Sequence, residues 1–162
     1  MNSTLTLADP AATERLARTL APRLGAGDLI GLTGGLGAGK SLFARALIGA
    51  RLAALGRSEE VPSPSYTLVQ TYDLGGVELW HADLYRLGAT GELAELGLED
   101  AFASAICLVE WADRLGPALP PRRLMLGLDF VPGAEDARAA RLDATGPGWD
   151  GLPAALAEAG AA

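Results

Sequence analysis

Apolar positions recur along this chain with two different periods, and the alternation between them predicts most of the elements. Leu5 and Leu7 flank Thr6 with the period-two spacing of a strand. Asp9-Pro10 offers a helix cap and a first-turn proline, and Leu16, Leu20 and Leu24 then recur every four residues. This predicts an amphipathic helix to about Leu24, stopped by Gly25. Leu29–Thr33 reads as a compact apolar strand, followed by a glycine-rich turn over residues 34–39. The next helix carries Phe43, Leu47 and residues 50–52 on its inner face and ends near Gly56. Residues 57–65 form a polar, proline-bearing loop, and residues 66–72 and 77–83 read as strands joined by the hairpin signal Leu74-Gly75-Gly76. Residues 91–105 hold one or two short helices, and the unbroken apolar run 106–109 suits a strand buried on both faces. Residues 124–131 and 138–145 read as closing strands around Pro132-Gly133, and residues 152–159 as a small helix. The expectation is an α/β domain of three layers with a mixed, partly antiparallel sheet over residues 1–150, with residues 151–162 as its C-terminal helix and fraying tail.

Composition narrows the function. The chain has 162 residues, 49% of them hydrophobic and 20% charged, which suits one core rather than a disordered segment. A net charge of −7 disfavours free-standing nucleic-acid binding, because phosphate affinity is mostly Lys/Arg neutralisation. No apolar run approaches the roughly 20 residues of a bilayer span, and the first residues do not read as a secretory signal, so a cytoplasmic location is expected. With one cysteine, Cys107, and one histidine, His81, a Cys/His zinc site is excluded and Cys107 reads as a small buried hydrophobe. Of 13 basic residues 12 are Arg, and the single Lys is Lys40.

That lysine sits in the chain's most informative run. Gly34-Gly35-Leu36-Gly37-Ala38-Gly39-Lys40-Ser41 matches G-x-x-x-x-G-K-S/T between a predicted strand and a predicted helix. At this chain's own frequencies the four fixed positions would coincide by chance on the order of once in a thousand such chains. The glycines let several N–H groups point at phosphate oxygens, and the helix start adds its positive end. Lys40 would reach the β- and γ-phosphates and the Ser41 hydroxyl would hold Mg²⁺. Two carboxylates end neighbouring predicted strands. Glu110, closing the apolar run, is placed to bind Mg²⁺ directly or through water. Asp83 would orient the attacking water or complete the metal shell, with a strand-end turn residue as the plain alternative. A guanine-reading N-K-x-D box needs a second Lys that the chain lacks, so ATP is the expected nucleotide. No arginine-rich lid of the small-molecule-kinase kind is visible.

Four runs together resemble the TsaE (YjeE) family: residues 36–41, Val61-Pro-Ser-Pro-Ser-Tyr-Thr-Leu-Val69, His81-Ala-Asp-Leu-Tyr-Arg-Leu87 and Leu108-Val-Glu-Trp-Ala-Asp113. The resemblance covers roughly residues 5–145 in order and spacing. It implies a mixed-sheet P-loop NTPase fold, Mg²⁺-ATP binding and weak hydrolysis. It also implies work with TsaD- and TsaB-like partners in threonylcarbamoyl modification of the adenosine beside the tRNA anticodon. Contact with tRNA would be only through that complex, with no membrane, and the chain alone would be a monomer. Carried over by position, Lys40 and Ser41 match the loop's lysine and metal hydroxyl, Asp83 the family's aspartate, Glu110 its Mg²⁺-linked acid, and Trp111 the tryptophan that follows it. Ser65, Tyr66 and Thr67 fall in a switch-like loop, while Thr13 and Asp113 fall where the family's nucleotide-side loops lie. Three departures stand out. Gly35 replaces the family's Asp, Ser65 its Thr, and Ala112 its Pro. His81 is a proton shuttle or a structural residue, Arg86 a contact to phosphate or partner, and Trp80 and Trp149 read as packing residues. Two other classes remain open on the residues alone, a nucleotide-gated interaction module without essential hydrolysis and a small-molecule kinase.

Overall fold

The protein, seen here as a computed structural model, is described over residues 1–87 and 90–160. In chain order the elements are β1 (Asn2–Leu7), α1 (Pro10–Leu20), β2 (Leu29–Thr33), α2 (Lys40–Ala54), β3 (Val69–Asp73), β4 (Glu78–Asp83), α3 (Thr90–Leu96), α4 (Leu98–Ser104), β5 (Ile106–Glu110), β6 (Arg123–Val131), β7 (Ala134–Thr145) and α5 (Leu152–Glu158). The strands make one seven-stranded sheet in the order β1-β7-β6-β2-β5-β4-β3. β6, β2, β5 and β4 run parallel, β3 pairs antiparallel with β4 on one edge, and on the other β7 runs antiparallel between β6 and β1. The expected mixed sheet is present.

Alternation along the central strands sorts side chains to two faces, as the period-two geometry of a strand requires. Ile30 and Leu32 of β2, Ile106 and Leu108 of β5 and Leu124, Leu126 and Leu128 of β6 join one core with α1, α2 and α5. Leu29, Cys107 and Val109 join the other, with Leu93 of α3 and Leu98 and Ala101 of α4. The result is three layers. Cys107 is fully buried, and that burial pushes its thiol up to about 12, as expected of an inert packing residue. Trp80 and Trp149 pack against the two cores, which agrees with their reading as structural.

The helix starts follow local chemistry. Asp9 caps α1 by accepting from the Ala12 N–H at 2.8 Å, with Pro10 at the first position. Several boundaries differ from the sequence reading. α1 ends at Leu20 and tightens into a 3-10 turn, Ala21–Arg23, because Pro22 interrupts the regular ladder. The strand expected over residues 66–72 begins only at Val69: the Leu68 N–H bonds back to the Pro64 carbonyl at 2.7 Å, and Leu68 has φ 69°, which folds residues 65–68 into a turn. β7 starts at Ala134, not at residue 138, so the β6–β7 hairpin reaches farther than its apolar pattern implies. A 3-10 segment, Ala112–Ala118, follows β5, where the apolar pattern predicts no element. The fraying expected of the tail falls on residues 161–162, outside the described residues.

The register between β2 and β6 shapes the edge of the sheet from which the glycine-rich loop departs. The last β2–β6 pair is Thr33 with Gly127, and β6 continues four residues further, to Val131. At roughly 3.3 Å per residue, about 13 Å of β6 runs on beside the loop that leaves β2.

Phe43 of α2 is fully buried in the larger core, whereas Leu55, just past the same helix, is 47% exposed. Phe43→Ala is expected to lower unfolding free energy by about 3–5 kcal/mol, and Leu55→Ala by less than about 0.5 kcal/mol. Urea denaturation of the two variants checks this; equal losses would contradict the layer assignment.

Candidate functional site

The loop between β2 and α2 is shaped by glycines with left-handed backbone: φ is 136° at Gly34 and 112° at Gly39. A Cβ at Gly34 would collide with the Leu128 carbonyl, so glycine is what allows the loop to lean against the overhanging β6. Gly39 precedes α2, which begins without a side-chain cap. Its first-turn N–H groups and positive end therefore face the cleft, the usual arrangement of an anion site. Inside the curve, the Lys40 ammonium donates to the carbonyls of Gly34 at 2.7 Å and Gly35 at 2.8 Å. Outside it, Arg138 of β7 donates to the Ala38 carbonyl at 3.0 Å and the Gly37 carbonyl at 3.3 Å. Gly35 has no such backbone demand, and a Cβ there would meet only the Phe130 ring at 3.7 Å. The backbone thus does not explain why this position lacks the family's aspartate.

Strand register delivers the carboxylates. Glu110 of β5 is paired with Leu32 of β2 on one side and with Asp83 of β4 on the other. The Ser41 hydroxyl donates to Glu110 Oε1 at 2.7 Å, and His81 Nε2 lies 2.7 Å from Oε2. Both His81 and Glu110 are essentially buried. Against an ionised carboxylate Nε2 carries the proton, leaving Nδ1 without a partner. Asp83 accepts from the Ser65 hydroxyl at 3.2 Å and from the Tyr85 N–H at 2.9 Å, so two donors fix its carboxylate at the cleft wall. Trp111 follows Glu110 with φ 58°, a strained conformation for a bulky residue. Its indole packs under the Lys40 ammonium, 4.1 Å from the ring centroid, and against Tyr85 at 4.9 Å between centroids.

These contacts set the local charge balance. Burial pulls the Lys40 ammonium below its usual lysine range, against the opposing pull of Glu110, Asp83 and Asp113. For Glu110 burial alone would raise the carboxyl. The hydrogen bonds from His81 and Ser41, with the charges of His81 and Lys40, outweigh that and hold it below its usual range.

Most of the expected site residues meet in one cleft of about 320 Å³, walled by Gly37, Gly39, Lys40, Ser41, Ser65, Asp83, Glu110 and Trp111, with Leu36 at its rim. His81 supports it from below through Glu110. Others lie elsewhere. Thr13 is buried in the first turn of α1 and Asp113 is exposed on the 3-10 segment; neither lines the cleft. Thr67 accepts from the Gln70 side chain at 2.9 Å, and the Arg86 guanidinium stands over the Tyr66 ring at 5.0 Å, also outside the lining. Sequence reasoning missed Tyr85, Arg45 and Arg138. Arg45 lines the cleft one helical turn beyond Ser41, so period 3.6 would have found it. Tyr85 lies inside the run 81–87 that carries the family resemblance. Arg138 reaches the loop through strand pairing far along the chain, and no local pattern signals that.

A hydroxyl beside a buried carboxylate, an ammonium in a glycine-rich curve and an uncapped helix start can together hold a polyphosphate with a hard divalent cation. Comparisons with known proteins identify the family. A family model described as threonylcarbamoyl adenosine biosynthesis protein TsaE matches residues 7–139. A tRNA threonylcarbamoyladenosine biosynthesis protein TsaE from Rickettsia felis is 35% identical over 119 residues, covering 74% of this chain and 68% of that relative, about two thirds of its length. The protein of the same name from Streptomyces coelicolor is 36% identical over 139 residues, covering 83% and 91%. The crystal structure of Bacillus subtilis YdiB superposes with a TM-score of 0.73 at 27% identity, covering 99% of this chain and 95% of that one.

The lowered Glu110 carboxyl carries a sign. A carboxyl depressed in the folded state stabilises the protein above its unfolded value, near 4.5, and loses that contribution as pH falls through the lower folded value. Relative to Glu110→Gln, the wild type is expected to lose stability between about pH 5 and about pH 3.5. Urea titrations of both proteins at the two pH values measure this, and a constant gap would contradict the assigned charge state.

Proposed function

The chain belongs to the TsaE family, and from that premise we propose that it binds Mg²⁺-ATP in the cleft between the phosphate loop and Glu110 and hydrolyses it slowly. Its work is in threonylcarbamoyl modification of the adenosine beside the tRNA anticodon, in the cytoplasm, with TsaD- and TsaB-like proteins as partners. The observation that carries the nucleotide reading is the Ser41–Glu110 hydrogen bond at the mouth of the loop. It sets a hydroxyl and a carboxylate side by side, the oxygen donors that Mg²⁺ prefers, next to where phosphates would lie. Among the described residues no group of three or more His, Cys, Asp or Glu could hold a metal ion. A cation here would be held by Ser41 and Glu110 and completed by phosphates and water. When bound, the ion neutralises phosphate charge.

The chain's own residues divide the rest of the work. The loop amides and the α2 start cradle the phosphates, and Lys40 swings from the Gly34 and Gly35 carbonyls to phosphate oxygens. Asp83, held by Ser65 and the Tyr85 N–H, takes the position of the group that orients the attacking water. Ser65 ties this carboxylate to residues 57–68, so a change in that loop alters the placement of Asp83. Arg138 stays outside the cleft lining and braces the loop through the Gly37 and Ala38 carbonyls. The net charge of −7 suits a subunit that meets tRNA through partners rather than directly.

Lys40→Ala is expected to abolish ATP binding in calorimetry. Asp83→Ala is expected to bind ATP but to lose roughly 100-fold or more in partner-stimulated hydrolysis. Normal hydrolysis by Asp83→Ala would remove its assigned role. Repeated rounds of tRNA modification with Lys40→Ala would overturn the ATPase reading, and labelled phosphate appearing on a metabolite would point to a kinase instead.

A further inference from the structure

The apolar stripe of β6 ends in an anomaly. Leu124, Leu126 and Leu128 share one sheet face and are fully buried, yet Phe130, the next residue on that face, is 55% exposed. Its cross-strand partner is Arg138, whose guanidinium lies 4.5 Å from the ring centroid while also gripping the loop carbonyls of Gly37 and Ala38. The ring thus has one face supported by a cation that is itself fixed to the phosphate loop. Beside it lies an open depression of about 460 Å³ formed with Val131, Gly133, Ala134 and Glu135 of the hairpin. Gly35 sets no side chain between loop and ring.

Direction matters as much as proximity. Glu110 and Asp83 stand on the β5–β4 side of β2, and Phe130 and Arg138 on the β6–β7 side. A nucleotide whose terminal phosphate lies by the carboxylates, and whose phosphate chain follows the loop past β2, leaves it on the side of the hairpin. We propose that Phe130, braced by Arg138, is the stacking shelf for the nucleotide's base. This rests on the nucleotide reading of the cleft. Stacking on an aromatic face tolerates any base, so the ligand class is a nucleoside triphosphate, with the shelf supplying affinity rather than choice of base.

The test separates base from phosphates. Binding of Mg²⁺-ATP and of Mg²⁺-tripolyphosphate, which lacks sugar and base, is measured by calorimetry on the wild type and Phe130→Ala. The expected result is a loss of about tenfold or more for ATP with tripolyphosphate unchanged. Equal losses for both ligands would mean that Phe130 merely supports the loop, and no loss for either would leave it without a role; both overturn the shelf. A wild type that binds neither ligand would overturn the nucleotide reading and the shelf with it. If wild-type protein binds tripolyphosphate as tightly as ATP, the shelf alone fails. Phe130→Trp supplies a direct signature: ATP should quench emission beyond the wild-type response, and tripolyphosphate should not. Bound ATP without that added quenching overturns the proposal.

Discussion

The buried carboxylate of Glu110 is the constraint around which the rest of the site is arranged. An ionised group removed from water costs far more than an exposed one unless it is paired and hydrogen-bonded. Here both oxygens are occupied, one by the Ser41 hydroxyl and the other by His81, with Lys40 adding favourable charge. These partners come from the start of α2 and from β4, while Glu110 ends β5. The carboxylate can be ionised only if all three elements hold their register, so the chemistry of one side chain also locks the sheet to the helix. His81 is the quiet member of this set. Fully buried, with its ring bonded to Glu110, it fixes the orientation of the carboxylate that Ser41 and a cation would share.

Around that centre the phosphate loop is supported asymmetrically. On the β5 side it meets charge and hydroxyls. On the β6 side it meets backbone, hydrocarbon and a single guanidinium, with the Leu128 carbonyl close against Gly34 and Arg138 holding two loop carbonyls. Loop carbonyls drawn outward by Arg138 favour a backbone with its N–H groups turned inward. The overhang of β6 past the end of β2 makes this possible, because a strand that ended at Gly127 would leave the loop unsupported on that side.

What can be read from the sequence depends on how local each signal is. The phosphate loop is legible because its glycines, Lys40 and Ser41 are contiguous and act through their own backbone. Glu110 and Asp83 are legible because each ends a strand that its neighbours predict, and the parallel register then sets them side by side. The strand over residues 66–72 starts too early in the pattern because β-branched and aromatic residues extend back to Tyr66, whereas in the structure the turn closed by Leu68 decides. Arg138 and Phe130 have no signal at all. Their roles depend on a hairpin pairing and on the position of a loop about a hundred residues earlier in the chain, which no window along the sequence contains.

The single lysine is intelligible in the same terms. Lys40 is 5% exposed, with two carbonyls at 2.7 and 2.8 Å and an indole face at 4.1 Å. A compact ammonium with three rotatable donors can satisfy two carbonyls converging from one turn of backbone and still rest on the ring. A planar guanidinium is longer, and its donors fork in one plane, so it suits this buried turn less well than the compact ammonium. Burial also makes this ammonium easier to deprotonate than an exposed one, and the surrounding carboxylates counter that. A phosphate chain beside it would counter it further, so ligand and lysine stabilise each other's charge. Arginine serves at the other twelve basic positions, including Arg138, where a forked guanidinium spans several carbonyls and still rests on a ring.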